Sequence, residues 1–373
     1  MDISTDALIV GGGPAGLAAS IALRQRGIDC VLVEAMSPAI DKACGEGLMP
    51  DALRALRSLG VEITEDDGHP FRGVRFANAN HQVDALFPEG HGIGVRRTVL
   101  HDRLAQHAYR AKANLLWNSR IKLIDRSTAL ISGQQIRFRW LIGADGQGSV
   151  VRRWAGLDRA QTKQLRYGFR RHYRVAPWSE FVEVHWARGG QLYITPVSKE
   201  CVCVVYVTAD LKRDRSDILA AFPEVARRLN RVPVLSHQRG AVSATRKLQC
   251  VAEETVALIG DASGSTDAVT GEGLAMSFRQ AQALAEAIEA GSLNCYRRAH
   301  ARIGRLPHAM GSLVLTMDRW PSLEVRAMRA LSASPELFRE LLAVHMGMRS
   351  LLEFAVQRGP TLGWKLIAET SRG

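Results

Sequence analysis

A turn of glycines set between two apolar runs constrains this chain more than any other feature. "ALIV" at 7–10 is followed by "GGGPAGLAASIALRQRG" at 11–27 and then by "CVLVE" at 30–34. Short apolar runs bounded by glycine read as buried strands, and the apolar spacing between them reads as an amphipathic helix. Gly11, Gly13 and Gly16 form G-x-G-x-x-G at the strand-to-helix turn. With no side chains there, the backbone turns tightly and the helix amides can approach a diphosphate. Pro14 and Ala15 lie inside that turn. Glu34, with Ala35 after it, ends the next strand, where a carboxylate accepts hydrogen bonds from ribose hydroxyls. Strand, glycine turn, helix, strand and acid together predict a site for an adenine dinucleotide.

Two later runs read as further strands of the same sheet, "WLIGADG" at 140–146 and "ETVALIGDA" at 254–262, the second followed by a helical pattern from Leu274 to about Ala290. Between them, 181–209 alternates like several antiparallel strands, and from about residue 300 the chain turns helical and basic. The predicted fold class is α/β. A discontinuous Rossmann-type dinucleotide domain takes 1–72, 95–160 and 250–300; a β-sheet substrate domain takes 73–94 and 161–249; a helical C-terminal region takes 301–373.

Bulk properties narrow the function classes. The 373 residues are 46% hydrophobic and 23% charged, ordinary for a soluble globular chain. No run reaches the ~18 apolar residues of a spanning helix. Asp2 and Asp6 interrupt any apolar leader, so the expectation is a cytoplasmic protein. The six cysteines suggest neither a disulfide framework nor a zinc site; Cys201 and Cys203, two apart in a strand, share a face. No metal is predicted. The net charge of +12 is scattered, with a modest cluster in "RYGFRRHYR" at 166–174, and no nucleic-acid module is visible. The positive charge is assigned instead to anionic cofactor and substrate phosphates, an acidic membrane surface or a carrier protein.

Several stretches resemble the p-hydroxybenzoate hydroxylase-like flavoproteins. "VALIGDASGSTDAVTGEGLAMSFRQAQALAEAI" at 256–288 is similar to their second FAD-binding motif, "LIGADGQGSVVRR" at 141–153 to their middle motif, and "RRTVLHDRLAQHA" at 96–108 to their arginine-led helix. The resemblance implies FAD as cofactor, with NAD(P)H as a transient reductant. It implies that Asp261, beside Gly260, meets the ribityl chain, that Arg97 reaches the phosphate and ribityl region, and that Asp145 and Gly146 close the cleft. "TGEG" at 270–273 precedes a helix whose N-terminus carries partial positive charge, so Gly271, Glu272 and Gly273 are placed beside the flavin, where reduced flavin is negative.

"DKACGEGLMP" at 41–50 resembles the flavin-side loop of the geranylgeranyl reductase-like branch, with Glu46 standing where that branch has glycine. Its glycines are expected to allow a sharp bend. Cys44 is read as a small wall residue, a proton donor or flavin tuner, or a disulfide-exchange thiol. Glu46 either orients substrate and relays protons or is a solvated loop acid. Among His172, Tyr173, His185 and Tyr193 in the alternating region, one or two are expected to line the pocket; Cys44, Glu46 and Tyr193 stand as catalytic candidates. The expected reaction is NAD(P)H- and O2-dependent monooxygenation of an aromatic, polyketide-like or lipid-like substrate in secondary metabolism. The alternatives are reduction of a carbon–carbon double bond and halogenation, although the halogenases' W-x-W-x-I-P string is absent. The substrate is expected to be a small apolar or aromatic molecule. The amphipathic, basic 330–359 segment is read as a helical cap, or as a surface that admits a lipid-like or carrier-bound substrate.

Overall fold

The computed structural model describes residues 3–210, 215–267 and 270–368, so 268–269 of the "STDAVTGEG" stretch and the last five residues of the C-terminal region lie outside the described residues. The glycine turn joins the Ile3–Val10 strand to the Pro14–Gln25 helix. Ile3–Val10 pairs in parallel with Cys30–Val33 on one side and with Gln134–Gly143 on the other. Val256–Leu258 and Asn114–Leu116 extend the parallel sheet outward. A parallel sheet is covered on both faces and therefore reads as unbroken apolar runs. Ala7, Leu8 and Ile9 are accordingly fully buried. The first strand is longer than "ALIV", because Ser4 and Thr5 continue the ladder to Arg137 and Phe138.

A second sheet has eight strands. Its order runs Gly264–Ser265, Arg239–Leu248, Ala160–Tyr173, Cys201–Thr208, Gly190–Ser198, Phe181–Ala187, Gly73–Ala77 and Gln82–Leu86. All its pairs are antiparallel except Phe181–Ala187 with Gly73–Ala77. One face carries Leu192, Ile194, Val202, Val204 and Tyr206, packed under the Arg215–Ala220 and Pro223–Leu229 helices. Cross-strand neighbours share a face, so the other face brings together His172 with Cys203, Tyr193 with Val205, and Gln191 with Val207. Against the apolar part of this face lie Met49 and, from the C-terminal helices, Met328, Leu331, Phe338, Leu342 and Met346. Those helices are Leu293–Arg319, Pro321–Ser332, Pro335–His345 and Leu351–Ala368. No helix among the described residues is long and apolar enough to cross a membrane.

Candidate cofactor and substrate site

Three separate stretches meet at the carboxyl ends of the parallel strands, the edge where open α/β sheets bind ligands. A Cβ on Gly16 would fall inside the carbonyl of Gly11, so the first turn of the Pro14–Gln25 helix closes onto the end of its strand. Gly260, at φ +58°, approaches so closely that a Cβ there would stand 2.8 Å from that of Ala15. Ala144 and Asp145 press on Gly11 from the neighbouring strand. The helix is capped by Gly13, whose side is open and which provides no side-chain cap, leaving the first-turn amides for a ligand.

Glu34 and His101 brace this turn. Gly12 N–H donates to Glu34 Oε2 at 2.7 Å, and Met36 N–H donates to Oε1 at 2.8 Å. His101 is fully buried and its Nε2 lies 2.9 Å from the Gly12 carbonyl, so Nε2 carries the ring proton and donates. Burial lowers His101's proton affinity, which keeps the ring neutral. Ala35 is exposed just beyond the strand. Asp145 has its carboxylate committed to the Val150–Trp154 helix, accepting from Ser149 Oγ at 2.5 Å and from the Val150 amide at 2.6 Å. Gly146, at φ +77°, turns the chain beside it. Asp261 faces outward from the Gly260–Ser263 turn and pairs with Lys42 at 3.0 Å.

Lys42 starts the loop that crosses the site. The loop runs from Asp261 to Met49, which lies against the Gly271 turn. Its bend is not where the sequence placed it. Gly45 and Gly47 have ordinary backbone angles, and Glu46 itself adopts φ +61°. A non-glycine residue held there costs of order 1–3 kcal/mol and persists only when its surroundings hold it. They do: Glu46 is 3% exposed, which removes the solvated-acid alternative. Arg97 N–H donates to Glu46 Oε1 at 3.0 Å, and Glu46 Oε2 lies 2.6 Å from His172 Nε2. Val95 N–H donates to the Glu46 carbonyl at 2.8 Å.

His172 is fully buried, and Arg170 NH1 lies 2.9 Å from its Nδ1. A guanidinium only donates, so Nδ1 accepts and the ring proton sits on Nε2, facing Glu46. Ser236 Oγ also lies 2.9 Å from Nδ1, giving an unbroken line from Glu46 through the imidazole to a half-buried hydroxyl. Arg170, also fully buried, pairs with Asp41 and stands 4.0 Å from Glu46 Oε1. The "RYGFRRHYR" cluster is therefore no surface patch: Arg166, Arg170 and His172 point inward from alternate positions of one strand. Arg166 meets Asp267 at 2.9 Å and Gln191 at 2.9 Å.

Cys44 is half-buried and its Sγ accepts the Glu46 N–H at 3.4 Å. Cys203 Sγ points at the Cys44 carbonyl at 3.8 Å, and burial first, then the Glu46 charge, raises its thiol well above the usual range. Glu46, His172 and Cys203 bring an oxygen, a nitrogen and a sulfur within 4.8 Å of one another. A metal at Nε2 would force the ring proton onto Nδ1, where Arg170 already donates, so this set is built to hold a proton rather than a cation. Tyr193 lies apart from it. Its buried hydroxyl donates to Gln191 in the Arg166–Asp267 network, and burial raises it well above the usual phenol range. Of the other imidazoles weighed, His185 pairs with Glu183 at 2.8 Å. Tyr173 packs on the opposite face of the sheet.

The donor set left at the strand ends suits an anionic dinucleotide. Arg96 Nε and Arg97 Nε are buried with no hydrogen-bond partner among the described residues, at the start of the Arg97–Arg110 helix whose His101 reaches the Gly12 carbonyl. Residues 4–292 match the model of the FAD binding domain family. The chain belongs to that family. Its α/β fold, with three sheets among the described residues and a helical C-terminal region, is of the class the sequence predicts. It is similar to the menaquinone reductase of Mycobacterium tuberculosis, 30% identical over 42% of this chain and 41% of the relative's length. The chain thus matches about two fifths of that relative. With the Mycolicibacterium smegmatis menaquinone reductase it is 26% identical over 86% of this chain and 87% of the relative. The putative FAD-dependent monooxygenase YetM of Bacillus subtilis is 26% identical over 76% and 84%. A flavoprotein/dehydrogenase structure from Cytophaga hutchinsonii shares the fold with a TM-score of 0.83, at 18% identity over 98% of this chain and 100% of that one.

Proposed function

We propose that this FAD-binding protein is a single-component monooxygenase that takes electrons from NAD(P)H and places one oxygen atom of O2 on an apolar, hydroxyl-bearing aromatic or polyketide-like substrate. The observation that carries the reading is the buried Glu46–His172 pair on the sheet face that also carries an apolar, methionine-rich layer. Bound FAD supplies two-electron chemistry and oxygen activation. Gly11, Gly13, Pro14, Ala15 and Gly16 would hold its diphosphate, Glu34 and Ala35 its ribose edge, and Arg97, Asp145, Gly146, Gly260 and Asp261 its middle. Gly271, Glu272 and Gly273 would flank its ring end.

Glu46 is the base in this reading. It accepts the proton of a ring hydroxyl and so makes the ring electron-rich. His172 holds that carboxylate in place by donating its Nε2 proton to Glu46 as a hydrogen bond, while Arg170 and Ser236 fix the ring at Nδ1. Met49, Met328 and Met346 adapt to a substrate of varied shape and keep water away. Cys44 is a wall residue beside Glu46, and Tyr193 fixes the sheet face through Gln191. The C-terminal helices carry an exposed apolar edge, with Leu352 and Val356 each 72% exposed, which suits substrates drawn from a membrane surface or a carrier.

A second reading, reduction of an isoprenoid carbon–carbon double bond, is favoured by the Cys44–Gly47 loop and the length-wide similarity to a menaquinone reductase. There His172 and Glu46 would give a proton rather than take one. The two readings separate on stoichiometry. With a panel of long-chain phenols, oxygenation consumes NAD(P)H and O2 in equal amounts and stops under nitrogen. Product formation that continues under nitrogen would overturn the first reading in favour of the second.

A further inference from the structure

Behind the Gly271–Gly273 turn stand two carboxyls with too few partners. Glu272 is 2% exposed and Asp51 3%. Glu272 Oε2 and Asp51 Oδ1 each lack a hydrogen-bond partner among the described residues. The other oxygen of Asp51 pairs with Arg279, and Glu272 Oε1 lies 4.0 Å from His345 Nε2. That nitrogen is already committed: it lies 3.0 Å from the Thr270 carbonyl, so it carries a proton and donates there. Burial lowers His345's proton affinity, which keeps the ring neutral. The groups facing one another from the Pro50–Ser58, Gly273–Glu289 and Pro335–His345 helices are thus two acids, one guanidinium and a neutral imidazole.

With both acids ionised, this buried cluster carries one uncompensated negative charge and two unsatisfied acceptors. Both defects are costly in a low-dielectric interior. A single proton cancels that charge and turns one of the carboxylates into a neutral acid. We infer that Asp51 and Glu272 hold one proton between them in the resting protein, and that this proton protects the positive N-terminus of the Gly273–Glu289 helix for the reduced, anionic flavin. Burial, and then the Asp51 charge, push Glu272 up to about 8, with Arg279 acting in the opposite direction. The second half of the inference rests on the placement of Gly271–Gly273 beside the flavin ring. Loss of the proton sets a carboxylate at a helix N-terminus and offsets its partial positive charge. Reduction of the flavin then draws the proton back.

Two measurements test the two halves separately. The first uses FAD-free protein, comparing unfolding of the native chain, Glu272→Gln and Asp51→Asn from pH 5 to 9. A carboxyl raised from 4.5 to about 8 binds more protons folded than unfolded, so its stabilisation is complete below 4.5 and is lost as pH rises to about 8. The native chain should lose up to tenfold in its folding equilibrium per pH unit across that window relative to Glu272→Gln. Asp51→Asn should narrow the window, and it serves alone if Glu272→Gln does not fold. Parallel profiles for native and variant chains overturn the shared proton. The second measurement is the flavin midpoint potential of the holoprotein against pH. Above about pH 8 the native slope should be steeper than that of Glu272→Gln by the tenfold per pH unit that equals about 30 mV for a two-electron couple. Equal slopes, with the stability difference intact, would leave the proton pair standing and overturn its coupling to the flavin.

Discussion

Glu46 offers the sharpest perturbation, because its cost can be worked from two named donors and one backbone angle. Glu46→Ala strips the acceptor from the Arg97 amide and from His172 Nε2, both inside the protein. A buried donor left unsatisfied costs about 1–3 kcal/mol, so the pair predicts a loss of about 2–6 kcal/mol. Alanine also inherits the left-handed φ of +61°. Glycine does not feel that strain, so Glu46→Gly should be more stable than Glu46→Ala by about 1 kcal/mol even though it removes the same side chain. Glu46→Gln keeps one acceptor oxygen but turns an amide donor toward either Arg97 N–H or His172 Nε2–H, and should fall between native and alanine. Urea unfolding of the FAD-free proteins measures the series. Glu46→Ala within about 0.5 kcal/mol of native, or Glu46→Gly no more stable than Glu46→Ala, would refute a buried Glu46 held in that geometry.

Asp261→Ala removes the carboxylate at the meeting point of the glycine turn and the crossing loop. The purified variant should have lost its FAD, and a full flavin spectrum would remove Asp261 from the cofactor site. Thiol accessibility is a further check: Cys295 is exposed, whereas burial pushes Cys30 up to about 12 and Cys201 up to about 11. An aromatic disulfide reagent at pH 8 should modify Cys295 first and leave Cys30, Cys201 and Cys203 until the protein unfolds. Rapid reaction at Cys203 would contradict its place against the Cys44 carbonyl.

The cofactor end of the site is legible in the sequence because its information is local. Gly11, Gly13, Gly16 and Glu34 sit within one strand–helix–strand unit, and the turn they form needs no knowledge of the rest of the chain. The substrate end is not local. Glu46 and His172 are separated by 126 positions and meet only because a loop from one sheet rises into the face of another. One signal for it lies in the strand itself: Arg166, Arg170 and His172 stand at even spacings, so they share a face with Cys203, and a strand face carrying two arginines and a histidine must bury acids to match them. The acids that answer, Asp41, Glu46 and Asp267, come from distant loops. The bend at residues 44–47 misleads for a related reason. Glycine is the usual owner of a positive φ, but at Glu46 the hydrogen bonds of a buried carboxylate outweigh that preference. Lys42 and His101 lie inside stretches the sequence analysis singles out but receive no role there, and only the folded chain brings them to Asp261 and Gly12.

The measurement that bears most directly on oxygen insertion is mass spectrometry of the product formed from a long-chain phenol, NAD(P)H and isotopically labelled dioxygen. One labelled oxygen atom in the product, with the yield reduced in His172→Ala while bound FAD stays at the native level, is the result the proposed function predicts. A product that gains two hydrogens and no label would contradict it, and would place Glu46 and His172 as the proton source of a double-bond reductase.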